Sequence, residues 1–507
     1  MNMEQQDVEV RIASFTELAN GNNPLALDSY QRAYVWDDKK INQLLNDFRH
    51  FIATIGNASS GSVTDQPQHY YMGTLLIHHQ LGADGKRFVI DGQQRLTSLA
   101  ILYFLLNGEL PSHMQLSFRS SRSMVNIQQA KKIMQQQLQE HSLSADIFER
   151  LRFTVISVQR EDLAFTFFDT QNNRGVPLGG TDLLKAFHLR AISNGMLAEV
   201  EQLQSHCAKR WEKVQIQGEQ GRSSKNNDFA PELFHYYLWR GRNWTGSHVL
   251  ELENQDELLS HFGEQSIVSQ LGEVALYPAG SNQWGHKLHL TSNNEYQLQP
   301  TLQNMGNSAA YLPLALRQPI SRGVGFFLYA EKYAALLNTL LHNPSENAEV
   351  VAVQTFYNQV VTTLSAYLQS LYRLAWLAYF DRLGSQGLLR FVLWLDHHLG
   401  AIRLGQEDIR RETPIKFLKD KKQNLLDVIA YAYRGEDVVS YLQCSDVSAI
   451  YSKKNGWKEE VKEGRKVQSR YASAVADYYG LDELSKKDKS IESHIDTVLL
   501  VQGVQYD

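Results

Sequence analysis

The stretch Phe88–Leu106, FVIDGQQRLTSLAILYFLL, places an acid, a glycine, two amides and a guanidinium between an apolar run and a helical leucine pattern. RFVI at 87–90 reads as a buried strand. After Gly92 the period changes: Leu96, Leu99, Ala100 and Tyr103 share one helical face, and Asn107-Gly108 is the stop. Upstream, YYMGTLLIHH at 70–79 is a second strand, joined to the first by the turn LGADGK, so a hairpin feeds the helix.

A glycine after a buried strand lets the chain turn sharply, and the first helical turn beyond it leaves backbone N–H groups without intrahelical partners. Those donors and the positive end of the helix form an anion site. Gln93 and Gln94 add neutral donors, and Arg95 offers a planar fork for phosphate oxygens. Asp91, four residues before Arg95, has the chemistry to hold Mg²⁺ or to orient a water. A plainer alternative stands beside this one: Asp91 caps the helix and Arg95 pairs with it as a structural ion pair. Spacing alone leaves both open. No GxxxxGK[ST] occurs, which excludes an ordinary P-loop.

Working outward, YQRAYVW at 30–36 is aromatic and extended in character, and Asp37 or Asp38 caps a helix carrying Ile41, Leu44, Leu45 and Phe48. Arg32 between Tyr30 and Trp36 suits either a clamp on a base or an anchor for an edge strand. MQLSFR at 114–119 and LRFTVISV at 151–158 read as strands around a Gln-rich helix at 126–141. FDTQNNRGVPLGGTDLLKAFHLR at 168–190 runs from a polar loop into a helix capped by Thr181 or Asp182. Asn172 and Arg174 are donors to ribose or phosphate, Gly175 permits a left-handed turn, and Lys185 points at the same space; the alternative is a polar loop between packed helices.

Strand signals thin out beyond residue 195, and long apolar-periodic segments dominate from 309 to 398. With 507 residues, at roughly 100 to 200 per domain, two domains are expected, 1–195 and 196–507. The fold class is α+β, with a mainly α-helical C-terminal region. Hydrophobic residues make up 43% and charged residues 21%, and the net charge of −5 gives no global pull toward nucleic acid. DNA binding must then come from local patches: the basic residues within 410–422 and 453–470, and YYLWRGRNW at 236–244, read as an exposed aromatic platform or as a core cluster beside a charged face. Two cysteines without ligand spacing argue against a disulfide framework or zinc site, and a cytoplasmic setting fits. The start lacks a signal peptide, and the most apolar window, from Val360, carries Arg373, so no membrane span is expected.

YQRAYVW, MGTLLI, VIDGQQRLTSL and FFDTQNNRGVPLGGTDLLKAF, in that order, resemble the N-terminal family of GmrSD-type, modification-dependent restriction systems over roughly residues 10 to 190. The resemblance implies a ParB- and sulfiredoxin-like fold that binds and hydrolyses a nucleoside triphosphate with Mg²⁺ and so regulates cleavage of foreign, often modified phage DNA. It implies Asp91, Gln94 and Arg95 as catalytic, with Asp91 at the metal. Tyr30, Gln31, Arg32, Gly73, Thr74, Gly92, Gln93, Thr97, Asn172, Arg174 and Gly175 would line the nucleotide. Many single-chain members add an HNH-type nuclease, but no His-x-x-Pro occurs here. His397-His398 runs into LGAIRL, His342 precedes Asn343-Pro344, and Glu460 with Lys462 form only an ExK pattern inside a charge run. The expectation is an NTP-hydrolysing subunit, alone or as a homo-oligomer, acting with a separate HNH-type nuclease. The alternative is a non-catalytic, nucleotide-gated DNA sensor that recruits a partner.

Overall fold

The computed structural model describes residues 8–20, 24–27, 31, 33–58, 69–79, 87–118, 121–159, 179–193, 195–217, 228–252, 254–277, 286–290, 292–293, 295–300, 308–419, 423–445, 447, 467–481 and 491–501. The chain divides into two compact units, Met1–Leu189 and Arg190–Asp507.

The first unit is mixed α/β. Its strands are β1 (Val8–Ser14), β2 (Leu25–Leu27), β3 (Tyr70–His79), β4 (Arg87–Asp91), β5 (Met114–Gln115) and β6 (Leu151–Val158), in the order β1-β6-β3-β4-β2-β5. β3 pairs antiparallel with β4 and parallel with β6, so the predicted hairpin is the centre of the sheet. Short α1 (Phe15–Ala19) begins in a capping box between Ser14 and Glu17. α2 (Asp38–Ala58) starts where Asp37 Oδ1 accepts from the Lys40 amide at 3.1 Å. α3 (Gln93–Asn107) is buried on all sides along most of its first two and a half turns, so it is enclosed rather than laid on a surface. Gly108, left-handed, ends it as expected. α4 (Ser121–Glu140) and α5 (Ile147–Arg150) follow. Phe15, Leu18, Phe48, Leu75, Val89, Leu96, Leu99 and Phe153 meet in one buried cluster beneath these helices. The unit closes with α6 (Gly180–Arg190).

Three local expectations are corrected. Residues 31 and 33–37 lie outside any strand, because side chains rather than a sheet ladder take up their backbone groups. The strand expected at 114–119 is only Met114–Gln115, limited by its three-residue partner β2. Thr181 and Asp182 sit inside the first turn of α6, whose leading carbonyl comes from Gly179, so neither is the cap.

The second unit is mostly helical: α7 (Leu197–Ile216), α8 (Val324–Leu341), α9 (Ala348–Gln359), α10 (Ala366–Leu383), α11 (Leu388–Gly405), α12 (Glu412–Lys419), α13 (Leu425–Tyr431), α14 (Gly435–Gln443), α15 (Val467–Tyr479) and α16 (Ile491–Val501), besides shorter turns. It also holds a hairpin, β7 (His286–Leu290) with β8 (Tyr296–Pro300), that the thinning strand signal did not foretell. Its strands leave Leu288, Leu290 and Tyr296 exposed, so no burial pattern marked them. Trp211 of α7 stacks on Phe326 of α8 at 5.6 Å, and a π-helical turn, Leu233–Trp239, turns Phe234 into the same aromatic group. No described helix is long and apolar enough to cross a membrane.

Asp396 is buried in α11. Its Oδ2 accepts from Tyr471 at 2.7 Å, and Oδ1 has no hydrogen-bond partner among the described residues. Burial pushes its pKa up to about 7 against the opposing effect of the Tyr471 hydroxyl. A carboxyl whose folded pKa is raised adds stability below its unfolded pKa and loses it as pH rises through the folded value. Thermal unfolding of the chain is therefore expected to show the helical unit weakening between about pH 4 and pH 7. Asp396→Asn should flatten that slope; an unchanged slope would show that Asp396 does not titrate as stated.

Candidate functional site

β4 delivers Asp91 to the edge of the core, and the chain then turns through Gly92 at φ 98° into α3. Gly92, at the N-cap position of α3, brings no side chain to cap it; the first intrahelical bond runs from the Leu96 amide to the Gly92 carbonyl at 3.0 Å. The amides of Gln93, Gln94 and Arg95 precede that bond, and Gly92, Gln93 and Gln94 are buried. A buried, uncapped helix start of this kind presents donors and positive potential together.

Arg95 explains why the motif MGT belongs with DGQQR. β3 carries a register shift against β6 between Tyr71 and Thr74, where Gly73 takes φ 94°. The bulge turns two carbonyls toward α3, and Arg95 donates Nη1 to Met72 O at 2.8 Å and Nη2 to Thr74 O at 2.6 Å. Nη2 also meets Asp91 Oδ2 at 3.2 Å. A Cβ on Gly73 would lie 2.4 Å from Arg95 Nη1, so only glycine admits the guanidinium. Burial draws the Arg95 pKa down, and Asp91 followed by Tyr71 oppose it. The ion-pair alternative is thus present in the structure, although Asp91 does not cap the helix. Its Oδ1 makes no hydrogen bond among the described residues, and the side chain is about one third exposed.

The amides organise the segment around Gln31. Gln94 receives the Val35 amide on Oε1 at 2.8 Å and donates Nε2 to Ala33 O at 3.1 Å. Gln31 donates Nε2 to Val89 O and Ile90 O at 2.8 and 3.0 Å, and its own carbonyl accepts from Lys185 Nζ at 3.2 Å. Tyr34, buried, reaches Ser98 at 2.8 Å, and burial pushes its pKa up to about 12. One turn inside α3, the buried Thr97 Oγ1 has no partner among the described residues.

The structure therefore brings Gln31, Gly73, Thr74, Asp91, Gly92, Gln93, Gln94, Arg95, Thr97 and Lys185 into one corner of the first unit. Tyr30, Arg32, Asn172, Arg174 and Gly175 lie outside the described residues. Sequence reading took Gln94 and Arg95 as donors to a ligand and missed their acceptors, the carbonyls of Ala33, Met72 and Thr74. The signal for the last two was Gly73, one residue from each.

Among the described residues no three His, Cys, Asp or Glu groups could hold a metal. His398 is buried with Nε2 on Leu442 O at 2.7 Å, a structural placement. Of the two readings of 236–244 the core cluster is the one found: Trp239 and Trp244 are buried, Tyr236 stays exposed, and Trp244 Nε1 donates to Leu250 O at 2.9 Å. Arg240, also buried, forks onto Glu251 at 2.8 and 3.0 Å.

At Gly92, a Cβ would stand 2.1 Å from Leu75 Cδ2 in the core, on a backbone that L residues rarely adopt. Gly92→Ala is expected to destabilise the first unit by about 2 to 4 kcal/mol. Urea unfolding followed by a probe in that unit would measure it; an unchanged midpoint would contradict the packing described.

Residues 15–189 match the family described as the GmrSD restriction endonuclease, N-terminal domain. Residues 203–459 match a family of unknown function, DUF7834. No curated protein matches the chain.

Proposed function

From a chain that belongs to the DUF7834 family through residues 203–459 and carries a GmrSD restriction endonuclease N-terminal domain at residues 15–189, we propose a nucleotide-gated subunit of a modification-dependent restriction system. The observation that supports it most is the buried start of α3, whose N-cap position is a glycine, with the Asp91 carboxylate at its mouth and Lys185 close by.

Two cations and a row of backbone amides in so small a space favour a polyanion. A nucleoside triphosphate bound with Mg²⁺ would supply a phosphoanhydride whose hydrolysis releases or commits the subunit. Asp91 is the carboxylate among the described residues gathered in this corner, and Oδ1 is the atom that would meet the cation or hold a water; Mg²⁺ commonly takes one or two protein carboxylates and leaves its other positions to phosphate and water. The amides of Gln93 and Gln94 would receive phosphate oxygens, and Lys185 would add a point charge. Thr97 Oγ1, buried and lacking a partner among the described residues, is a further donor one turn inside α3.

Arg95 has a different part from the one its fork suggests. With Met72 O, Thr74 O and Asp91 as acceptors, it sets the carboxylate's orientation and leaves phosphate contact to the amides. Gln94 likewise ties residues 33–35 to the helix start, so that Gln31 and residues 33–35 form the wall. DNA is the substrate of the system, and a separate HNH-type nuclease is the proposed partner.

Purified chain with Mg²⁺ should turn over a nucleoside triphosphate. Asp91→Asn should lower turnover at least a hundredfold with the fold retained. Lys185→Met should weaken nucleotide binding ten- to a hundredfold, the loss expected for one charged phosphate contact of about 1.5 to 3 kcal/mol. Equal turnover in wild type and Asp91→Asn would reject the assignment.

A further inference from the structure

The second unit contains a cavity of about 290 Å³ between the end of α10, the length of α13 and the segment 315–319. Its walls are apolar where Leu316, Ala378, Leu426 and Ile429 face it. Most polar groups around it are already engaged. Asp381 is tied to Lys332, to the Tyr333 hydroxyl at 3.0 Å and to the Leu316 amide at 3.0 Å. Arg317 donates to Gly241 O and Trp244 O and pairs with Asp427 at 2.5 Å.

What remains unengaged among the described residues is a set of donors. Gln318, buried, accepts the Ala315 amide on Oε1 at 2.8 Å, which leaves its Nε2 without a partner. Arg382 donates Nε to Ala432 O at 3.0 Å, and its two terminal nitrogens have no acceptor. Beside it, Tyr431 lines the cavity while 76% exposed, and Tyr433 is 83% exposed with its ring 5.7 Å from the Arg382 guanidinium. The exposed Arg434 follows directly. α12, packed against α10 and leading into α13, exposes Arg410, Lys416 and Lys419 along its start and length, against Glu407, Asp408 and Glu412.

A ligand that satisfies these groups is flat, apolar on its faces and rich in acceptors along one edge. A guanidinium fork reads such an edge on a base, tyrosine rings stack on any base, and nearby lysines grip the sugar-phosphate chain. The volume lies at the small end of ligand pockets, large enough for a base and too small for a whole nucleoside triphosphate. We propose that this cavity receives one unpaired nucleobase of a DNA strand that runs over α12 and the exposed tyrosines. This rests on the reading of the chain as a DNA-acting restriction subunit and adds the place and manner of contact. The donors at Gln318 and Arg382 would accept bases that present oxygen or ring nitrogen to them, and substituents on the base would be felt against the apolar walls.

The test uses the full chain and fluorescence anisotropy, with a labelled single-stranded oligonucleotide and an equally long abasic sugar-phosphate strand. Wild type should prefer the base-bearing strand by about tenfold, the share expected of one stacked base. Tyr431→Ala, at an exposed position, and Arg382→Gln should each erase the preference, with melting temperature unchanged for Tyr431→Ala. Lys416→Gln with Lys419→Gln should weaken both strands alike and reduce the salt dependence. Equal wild-type affinity for the two strands, or a preference that survives both Tyr431→Ala and Arg382→Gln, would overturn the inference while leaving DNA binding intact. A free deoxynucleoside monophosphate binding as tightly as the strand, and lost in Arg382→Gln, would overturn the strand as the source of the base. Binding to neither strand would overturn the inference together with the DNA-acting reading, whereas triphosphate turnover at Asp91 reports on the first unit alone.

Discussion

The first unit is organised around one guanidinium. Arg95 leaves the second turn-forming position of its helix, crosses to the central strand and collects two carbonyls that a bulge has turned out of the ladder. Taking a guanidinium out of water is costly unless its donors are met, and here the backbone supplies oxygens that pleated pairing cannot use. The remaining edge of the fork faces Asp91, so a single side chain links the distortion of β3 to the direction of the carboxylate. Glycine at residue 73 is the condition for that approach, and glycine at residue 92 is the condition for the helix to start so close to Leu75.

Much of this was legible before any coordinates. The change of hydrophobic period at Gly92 marked strand, turn and helix, and β3, β6 and the stop at Gly108 fall where alternation and turn chemistry place them. The membership of the N-terminal domain was legible too, because four motifs agree in order. What could not be read was the pairing of polar groups across long separations. Gln94 with Ala33 and Val35, and Lys185 with the carbonyl of Gln31, depend on where loops bring backbone atoms, and no side-chain pattern records a backbone acceptor. Short β2 and the hairpin β7–β8 escaped for the opposite reason: each is too brief or too exposed for burial to impose a period.

The two units show how differently polar residues are used when the surrounding elements differ. In the sheet unit, charged and amide groups crowd one corner and hold backbone segments in place. In the helical unit, Lys332 pairs with Asp381 between α8 and α10, and Arg240 pairs with Glu251 of the segment that follows its own helical turn, each with further hydrogen bonds that offset desolvation. The sequence left YYLWRGRNW open between a surface platform and a core cluster because aromatic and basic residues at helical spacing serve equally well as a packed wall with an internal ion pair. Burial, not composition, separates the two cases: Trp239 and Trp244 are enclosed, whereas Tyr431 and Tyr433 stand in solvent.

The π-helical turn at Leu233–Trp239 holds one more residue than an α-helical turn would over the same rise. Each residue in a helix advances the facing direction by about 100°. Deleting a single residue there would therefore rotate the rest of that helical segment, swinging Arg240 off Ser370 of α10 and Arg242 off the carbonyls of Leu316 and Gln318 while each kept its own backbone conformation. The inserted residue is the phase adjustment that lets one continuous helical segment serve two differently oriented walls.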